Sequence, residues 1–370
     1  MSLRIAFDQQ VFLLQEFGGI SRYVCRLSEA LSCSPAVEAR IFAPLHYNGH
    51  LMGLPRRLVH GWRMPRIPKT ARPTFALSAL LARRAICRFH PHIVHETYYS
   101  KDAFAPKGAR RVITVYDMIS ERFPFEFAGS YFTDAKRFAI SRADHVLCIS
   151  ESTRRDLIEL FGIAAERTSV VYLGYDEFAH PATDQGGVKV REGLRPYLLY
   201  VGSRGGYKNF AALLRAFASS AYLRDGFSIL CFGGGPMVAE ERALLRQLGL
   251  SEVHVRQVGG DDRMLAAMYM DAAAFVYPSL YEGFGIPPLE AMSMGCPVIC
   301  SNATSIPEVV GDAGEYFNPV ESEAIRVAIE RVLQSNDRRR ELVTKGHARR
   351  AMFSWERCAS ETHDVYRSIL

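Results

Sequence analysis

A chain of 370 residues is longer than one hydrophobic core usually supports, so two domains are expected. Its 48% hydrophobic and 23% charged residues, without repeats or low-complexity tracts, exclude fibrous and disordered classes. The net charge is a modest +6, no apolar run nears the roughly 18 to 20 residues of a bilayer span, and no signal-peptide pattern precedes the first strand, so a cytosolic protein is expected.

In chain order, strands are expected at 3–7, 40–43, 93–95, 111–115, 145–149 and 169–173. Helices fall between them at 19–31, 75–88, 132–142 and 152–161. Short apolar strands alternating with amphipathic helices argue for an α/β protein with a parallel sheet covered on both faces. Between Arg40 and His95 lie ten Lys or Arg and no Asp or Glu. Such a stretch attracts phosphate-rich partners, with an anionic membrane surface or a lipid-phosphate-linked acceptor among them, or it is a solvated surface loop. No nucleic-acid motif accompanies it, so nucleic acid is not expected as a partner. The eight cysteines are scattered, without zinc spacing, and read as small buried hydrophobes.

The segment 179–196 is polar and rich in Gly and Pro, and reads as an interdomain linker. A second alternating series follows, with strands at 197–201, 227–232, 253–258, 273–277, 297–300 and 315–317. Helices are expected at 209–219, 238–247, 262–270, 287–294, 322–333 and 337–350. One more amphipathic helix closes the chain. The domains are therefore set at 1–180 and 190–350, with the helix 355–370 packing back on the first. The carboxyl ends of both sheets should line a cleft between the domains.

The most informative run is Pro278-Ser-Leu-Tyr-Glu-Gly-Phe-Gly-Ile-Pro-Pro-Leu-Glu290. It leaves a strand, turns through glycines and enters a helix with Pro287 and Pro288 in its first turn, where missing amide protons cost little. The amides of Phe284, Gly285 and Ile286 can converge on an anion, backed by the helix dipole, as a diphosphate requires. Gly283 and Gly285 permit close approach. Glu282 in the loop can bind sugar hydroxyls, and Glu290 sits where a ribose would be held.

With Gly-Cys-Pro-Val-Ile-Cys-Ser-Asn302 downstream, this region resembles glycosyltransferase family 4, whose members are retaining enzymes of the GT-B fold. The likeness runs through nearly the whole chain. Gly-Gly-Ile-Ser-Arg-Tyr at 18–23 is similar to the family's N-terminal glycine loop, and the segment 201–209, with Gly202, Arg204 and Lys208, to its phosphate clamp. The resemblance implies two Rossmann-like doubly wound domains facing across a cleft, with the donor in the C-terminal half. Arg204 and Lys208 would clamp the two phosphates and stabilise the leaving group, so neither a metal nor another cofactor is expected. Gly18 and Gly19 would approach the donor from the first domain. Family members often carry His-Asp where this chain has Tyr116-Asp117. Tyr116 can still donate a hydrogen bond, and Asp117 can orient a hydroxyl, receive a proton, or simply cap a turn. His95 is a further acceptor-side candidate or a structural histidine.

The expected activity is a retaining, metal-independent transfer of a hexose from a nucleotide-diphosphate sugar to a glycan or lipid-pyrophosphate-linked acceptor. The family flavour leans to GDP-mannose over a UDP-hexose and to polysaccharide biosynthesis at the inner face of a membrane. Two rivals share the fold: a sugar-nucleotide 2-epimerase, and a non-catalytic sugar-nucleotide-binding protein.

Overall fold

The computed structural model describes residues 2–127, 131–178 and 195–370, so most of the expected linker, 179–194, lies outside the described residues. The chain divides into two compact units, Met1–Gly174 with Phe353–Leu370, and Tyr175–Met352.

The first unit is built on seven strands: β1 (Leu3–Phe7), β2 (Val37–His46), β3 (Val59–Arg63), β4 (Ile93–Glu96), β5 (Arg110–Val115), β6 (His145–Cys148) and β7 (Thr168–Val170). They lie in the order β3-β2-β1-β4-β5-β6-β7, and every neighbouring pair is parallel. Central strands such as β4 and β6 are buried throughout, as strands of a parallel sheet covered on both faces are, and β6 carries the unbroken apolar run Val-Leu-Cys. The edge strand β3 was not expected. Its Val-His-Gly-Trp-Arg sequence is largely solvated and carries neither an apolar run nor a clean alternation.

The final helix, Trp355–Ser368, belongs to this unit. Trp355 packs near Tyr23 of the Gly19–Leu31 helix, ring centroids 6.2 Å apart, and Tyr366 is fully buried beside β4. Gly174 permits this return, because a Cβ there would meet the Trp355 backbone nitrogen at 2.5 Å.

The second unit repeats the plan with β8 (Tyr197–Val201), β9 (Ser228–Phe232), β10 (Val255–Val258), β11 (Ala274–Tyr277), β12 (Val298–Ser301) and β13 (Gly314–Phe317). The order is β10-β9-β8-β11-β12-β13, again all parallel. Its core gathers Leu198, Tyr200, Phe217, Ile229, Val276 and Ile329. In both sheets the strand order reverses once, between β1 and β4 and between β8 and β11. At such a point the connections depart to opposite faces and leave a crevice at the carboxyl ends of the strands.

Short helices at Gln10–Leu14, Ile119–Arg122, Ala221–Gly226 and Ile306–Val310 were not anticipated. With little more than one turn each, they offer no periodicity to read. No helix among the described residues is long and apolar enough to cross a membrane.

Candidate functional site

The reversal point of the second sheet brings the end of β8 against the end of β11. Beyond β8 the chain turns at Gly202, passes a single turn at Gly206–Lys208, and enters the Phe210–Ala218 helix through Asn209, whose φ is +58°. Asn209 Nδ2 donates to the carbonyls of Pro278 (3.0 Å) and Pro319 (2.7 Å), and Leu280 N donates to Tyr207 O at 2.8 Å. These bonds stitch the two loops together. Across the seam Lys208 Nζ reaches both oxygens of Glu282, at 2.8 and 3.0 Å, with Glu282 only 7% exposed.

The loop after Glu282 is held by its carbonyls. Ser305 Oγ lies 2.8 Å from the carbonyl oxygens of both Glu282 and Phe284, and Glu282 N donates to Thr304 Oγ1 at 3.0 Å. Gly283 and Phe284 are buried. Gly285, at φ +119°, caps the Ile286–Ser293 helix in a conformation that a side chain would strain. Pro287 and Pro288 occupy the second and third helical positions and carry no amide proton. The helix start therefore offers only the Ile286 amide, and the anion site expected there depends on the loop amides beside it. No hydrogen bond from the amides of Gly285 or Ile286 is found among the described residues.

Each glutamate is held by a buried tyrosine. Tyr277 at the end of β11 donates to Glu282, and Tyr269 donates to Glu290 Oε2 at 3.3 Å. Both tyrosine hydroxyls are driven well above their usual pKa, first by burial and then by the carboxylates, so they remain donors. Lys208 and Glu282 thus form one part-buried charged pair at the seam of the two loops, and Glu290 is held separately by Tyr269 one turn into the following helix.

Arg204 departs from its expected part. Nε and Nη2 bind Glu241 at 2.8 and 3.2 Å, while Nη1 and Nη2 reach the carbonyls of Gly233 (3.0 Å) and Gly235 (2.9 Å). The side chain thus ties down the turn after β9 instead of standing beside Lys208 as a second open cation.

Two family models match the chain, glycosyl transferases group 1 over residues 187–349 and glycosyltransferase family 4 over residues 17–177. The O-antigen chain mannosyltransferase B of Escherichia coli is 32% identical over 283 residues, covering 74% of each chain. This chain belongs to glycosyltransferase family 4. The MMP alpha-(1->4)-mannosyltransferase of Mycolicibacterium hassiacum is 30% identical over 246 residues, 65% of this chain and 57% of that one. A sucrose-phosphate synthase structure from Thermosynechococcus elongatus superposes with a TM-score of 0.73 at 22% identity over 99% of both chains, which assigns the GT-B fold.

The remaining candidates of this glycosyltransferase lie in its first unit. Gly18 precedes the Gly19–Leu31 helix with ordinary extended backbone, φ −179°. Its small size matters more than its freedom, since Gln15 Oε1 stands 2.3 Å from where a Cβ would sit and accepts from Ser21 N at 3.2 Å. The helix start expected to face donor phosphate is covered by Gln15 on that side. Gly19 has open space at its Cβ position.

Tyr116, at the end of β5, is buried, and its hydroxyl has no hydrogen-bond partner among the described residues. Burial lifts its pKa well above the usual phenol, so it can donate but not titrate near neutrality. Asp117 accepts from Ile119 N at 3.1 Å, the turn-capping alternative, with Lys136 Nζ 3.9 Å away. His95 is 1% exposed. Its Nδ1 pairs with Tyr366 Oη (2.5 Å) and its Nε2 with Thr114 Oγ1 (2.9 Å), and burial lowers its pKa to about 3. A neutral imidazole with both nitrogens occupied has no group left for an acceptor, so the structure gives His95 the structural part.

Sequence reasoning missed Tyr269, Tyr277, Glu241 and the triple glycine at 233–235, whose φ values of +83°, +68° and +70° shape the turn that Arg204 holds. Three consecutive glycines directly after a strand were the available signal. Asp8 was missed too. At the end of β1, 3% exposed, it accepts from Thr97 Oγ1 (2.6 Å), Thr97 N (3.0 Å) and Gln10 Nε2 (2.5 Å), with a pKa raised by burial.

Proposed function

We propose that this glycosyltransferase moves a mannosyl residue from GDP-mannose to a growing polysaccharide or lipid-pyrophosphate-linked glycan, with retention and without a metal. The observation that carries the reading is the Lys208–Glu282 pair beside the Gly285–Ile286 loop, at the reversal point of the second sheet. The two relatives described above, both named as mannosyltransferases, favour mannose and, through the O-antigen enzyme, a polysaccharide acceptor.

In this reading the diphosphate occupies the loop amides and draws Lys208 partly away from Glu282. That frees the carboxylate for the sugar hydroxyls, while Glu290 takes the ribose. Arg204 contributes by fixing the turn at 233–235 or by exchanging those carbonyls for phosphate. The bond from C1 to the diphosphate breaks, the acceptor oxygen bonds C1 on the same face, and its proton passes to the leaving phosphate. Charge developing on that phosphate is what the amides and Lys208 stabilise. Tyr116 and Asp117 are the acceptor-side candidates. The enzyme works in the cytoplasm, attached peripherally to the membrane where its acceptor is anchored. No observation favours the epimerase or the non-catalytic binder.

Purified enzyme with GDP-mannose, UDP-, ADP- and TDP-sugars tests this directly. Slow donor hydrolysis selective for GDP-mannose, abolished in Glu282→Ala and insensitive to EDTA, is the expected result. Equal turnover in Glu282→Ala, or strict dependence on added metal, would overturn it.

A further inference from the structure

Outside the candidate donor site, the edge of the first unit's sheet holds a cavity of about 600 Å³ between β2, β3 and the Ala71–Phe89 helix. Arg4, Arg40, Arg84 and Arg88 line it against a single carboxylate, Glu38, which Arg40 already binds at 2.8 Å. Arg4 is turned to the His90 carbonyl at 2.7 Å. Neither Arg84 nor Arg88 has a partner among the described residues. They stand one helical turn apart, a spacing at which like charges repel. Three positive charges in excess around one cavity call for an anion from outside.

The exposed side chains farther along the same helix and on β3 state which anion. Leu77 and Leu80 are 50% and 49% exposed, and with Arg84 and Arg88 their spacing of three, four and four places them in one stripe of the helix. Trp62, on edge strand β3 and lining the cavity, is 71% exposed. A track for nucleic-acid phosphates has no use for outward aliphatic side chains. An interfacial surface combines these parts: aliphatic side chains and a tryptophan to enter the headgroup region, with arginines beside them to meet phosphate.

We propose that this cavity receives the phosphate headgroup of an anionic membrane lipid while Leu77, Leu80 and Trp62 insert beside it. The proposal sharpens, and rests on, the peripheral attachment stated under the proposed function. The groups involved lie wholly in the first unit, apart from the Lys208–Glu282 site.

Co-sedimentation of the full chain with phosphatidylglycerol–phosphatidylcholine vesicles, and with phosphatidylcholine vesicles alone, tests it. The anionic vesicles should capture the protein and the neutral ones should not. Arg84→Ala with Arg88→Ala should weaken capture about thirtyfold, taking each basic side chain as worth roughly a factor of five to six at an anionic surface. The paired lysine substitutions should retain most of it, and Leu77→Ser with Leu80→Ser should weaken it without a change of charge. Equal capture by neutral vesicles, undiminished capture of the alanine pair, or binding of an RNA oligonucleotide or inorganic phosphate without vesicles would overturn the proposal. Thermal shift with GDP on the same samples separates the two readings. Vesicle capture without nucleotide binding upholds the lipid site and sinks the donor assignment.

Discussion

Glu282 keeps a carboxylate almost out of water because Lys208 meets both of its oxygens and Tyr277 donates to it as well. Removing one partner of such a pair costs more than removing both, since an uncompensated charge is left in a poorly solvated place. Lys208→Met should therefore destabilise the enzyme by about 3 kcal/mol, and adding Glu282→Gln should return part of that loss. Urea unfolding of the two singles and the double checks it, and strictly additive losses would deny the coupling. Tyr277→Phe removes one donor and leaves the ring's volume. It should lower kcat/KM about tenfold with little change in stability, and Tyr269→Phe should act chiefly on KM for the donor, through Glu290. Steady-state kinetics separate these effects. At this scale the loop and helix start that carry the glutamates were legible, because a strand, two glycines and two prolines in succession allow few other local structures. Their tyrosines were not, because Tyr277 in a buried strand and Tyr269 in an amphipathic helix both read first as core filling.

Among the elements, strand centres and long helices could be read from period and composition, and β1, β8 and the Gly19–Leu31 helix match their expected bounds. What could not be read is what the connections do. The turn after β9 has the most consequence, because it determines where Arg204 points. A sequence shows an arginine two residues beyond a glycine, but which carbonyls it will meet depends on a backbone held at positive φ thirty residues away. A Cβ on Gly234 would stand 2.8 Å from both Arg204 Nη1 and Gly202 O, on a residue whose φ is +68°. The arginine can yield, but the backbone oxygen cannot move without disturbing the end of β8. Gly234→Ala is thus expected to cost about 1 to 3 kcal/mol and to weaken donor binding along with stability. Thermal unfolding with and without GDP measures both. An unchanged melting temperature would mean that the turn is not the constraint described.

Across the whole molecule the chain leaves the first unit after Gly174, builds the second, and returns with Phe353 to lay its last helix on the unit where it began. That return gives the first unit its clearest pH dependence, because Tyr366 of the final helix bonds His95 Nδ1 and helps to bury it. Thr114 takes the other nitrogen and the ring of Phe7 lies 5.2 Å away, so none of these three neighbours is charged. Burial lowers the imidazole from 6.5 to about 3. Below pH 6.5 the unfolded chain takes up a proton that the folded one refuses, so folding stability is complete above that pH and drains away as pH falls toward 3. Between pH 7.5 and 5 the single site should remove about 2 kcal/mol. Asp8 works in the opposite sense, since its raised pKa lets the folded state hold a proton more readily above pH 3.8. Comparing the wild type with His95→Gln isolates the imidazole from that background. Urea midpoints at pH 7.5, 6 and 5 should fall more steeply for the wild type than for the variant, whose stability is lower throughout. Parallel curves would mean that His95 takes up its proton in the fold as readily as in the unfolded chain, and that burial does not hold the imidazole neutral.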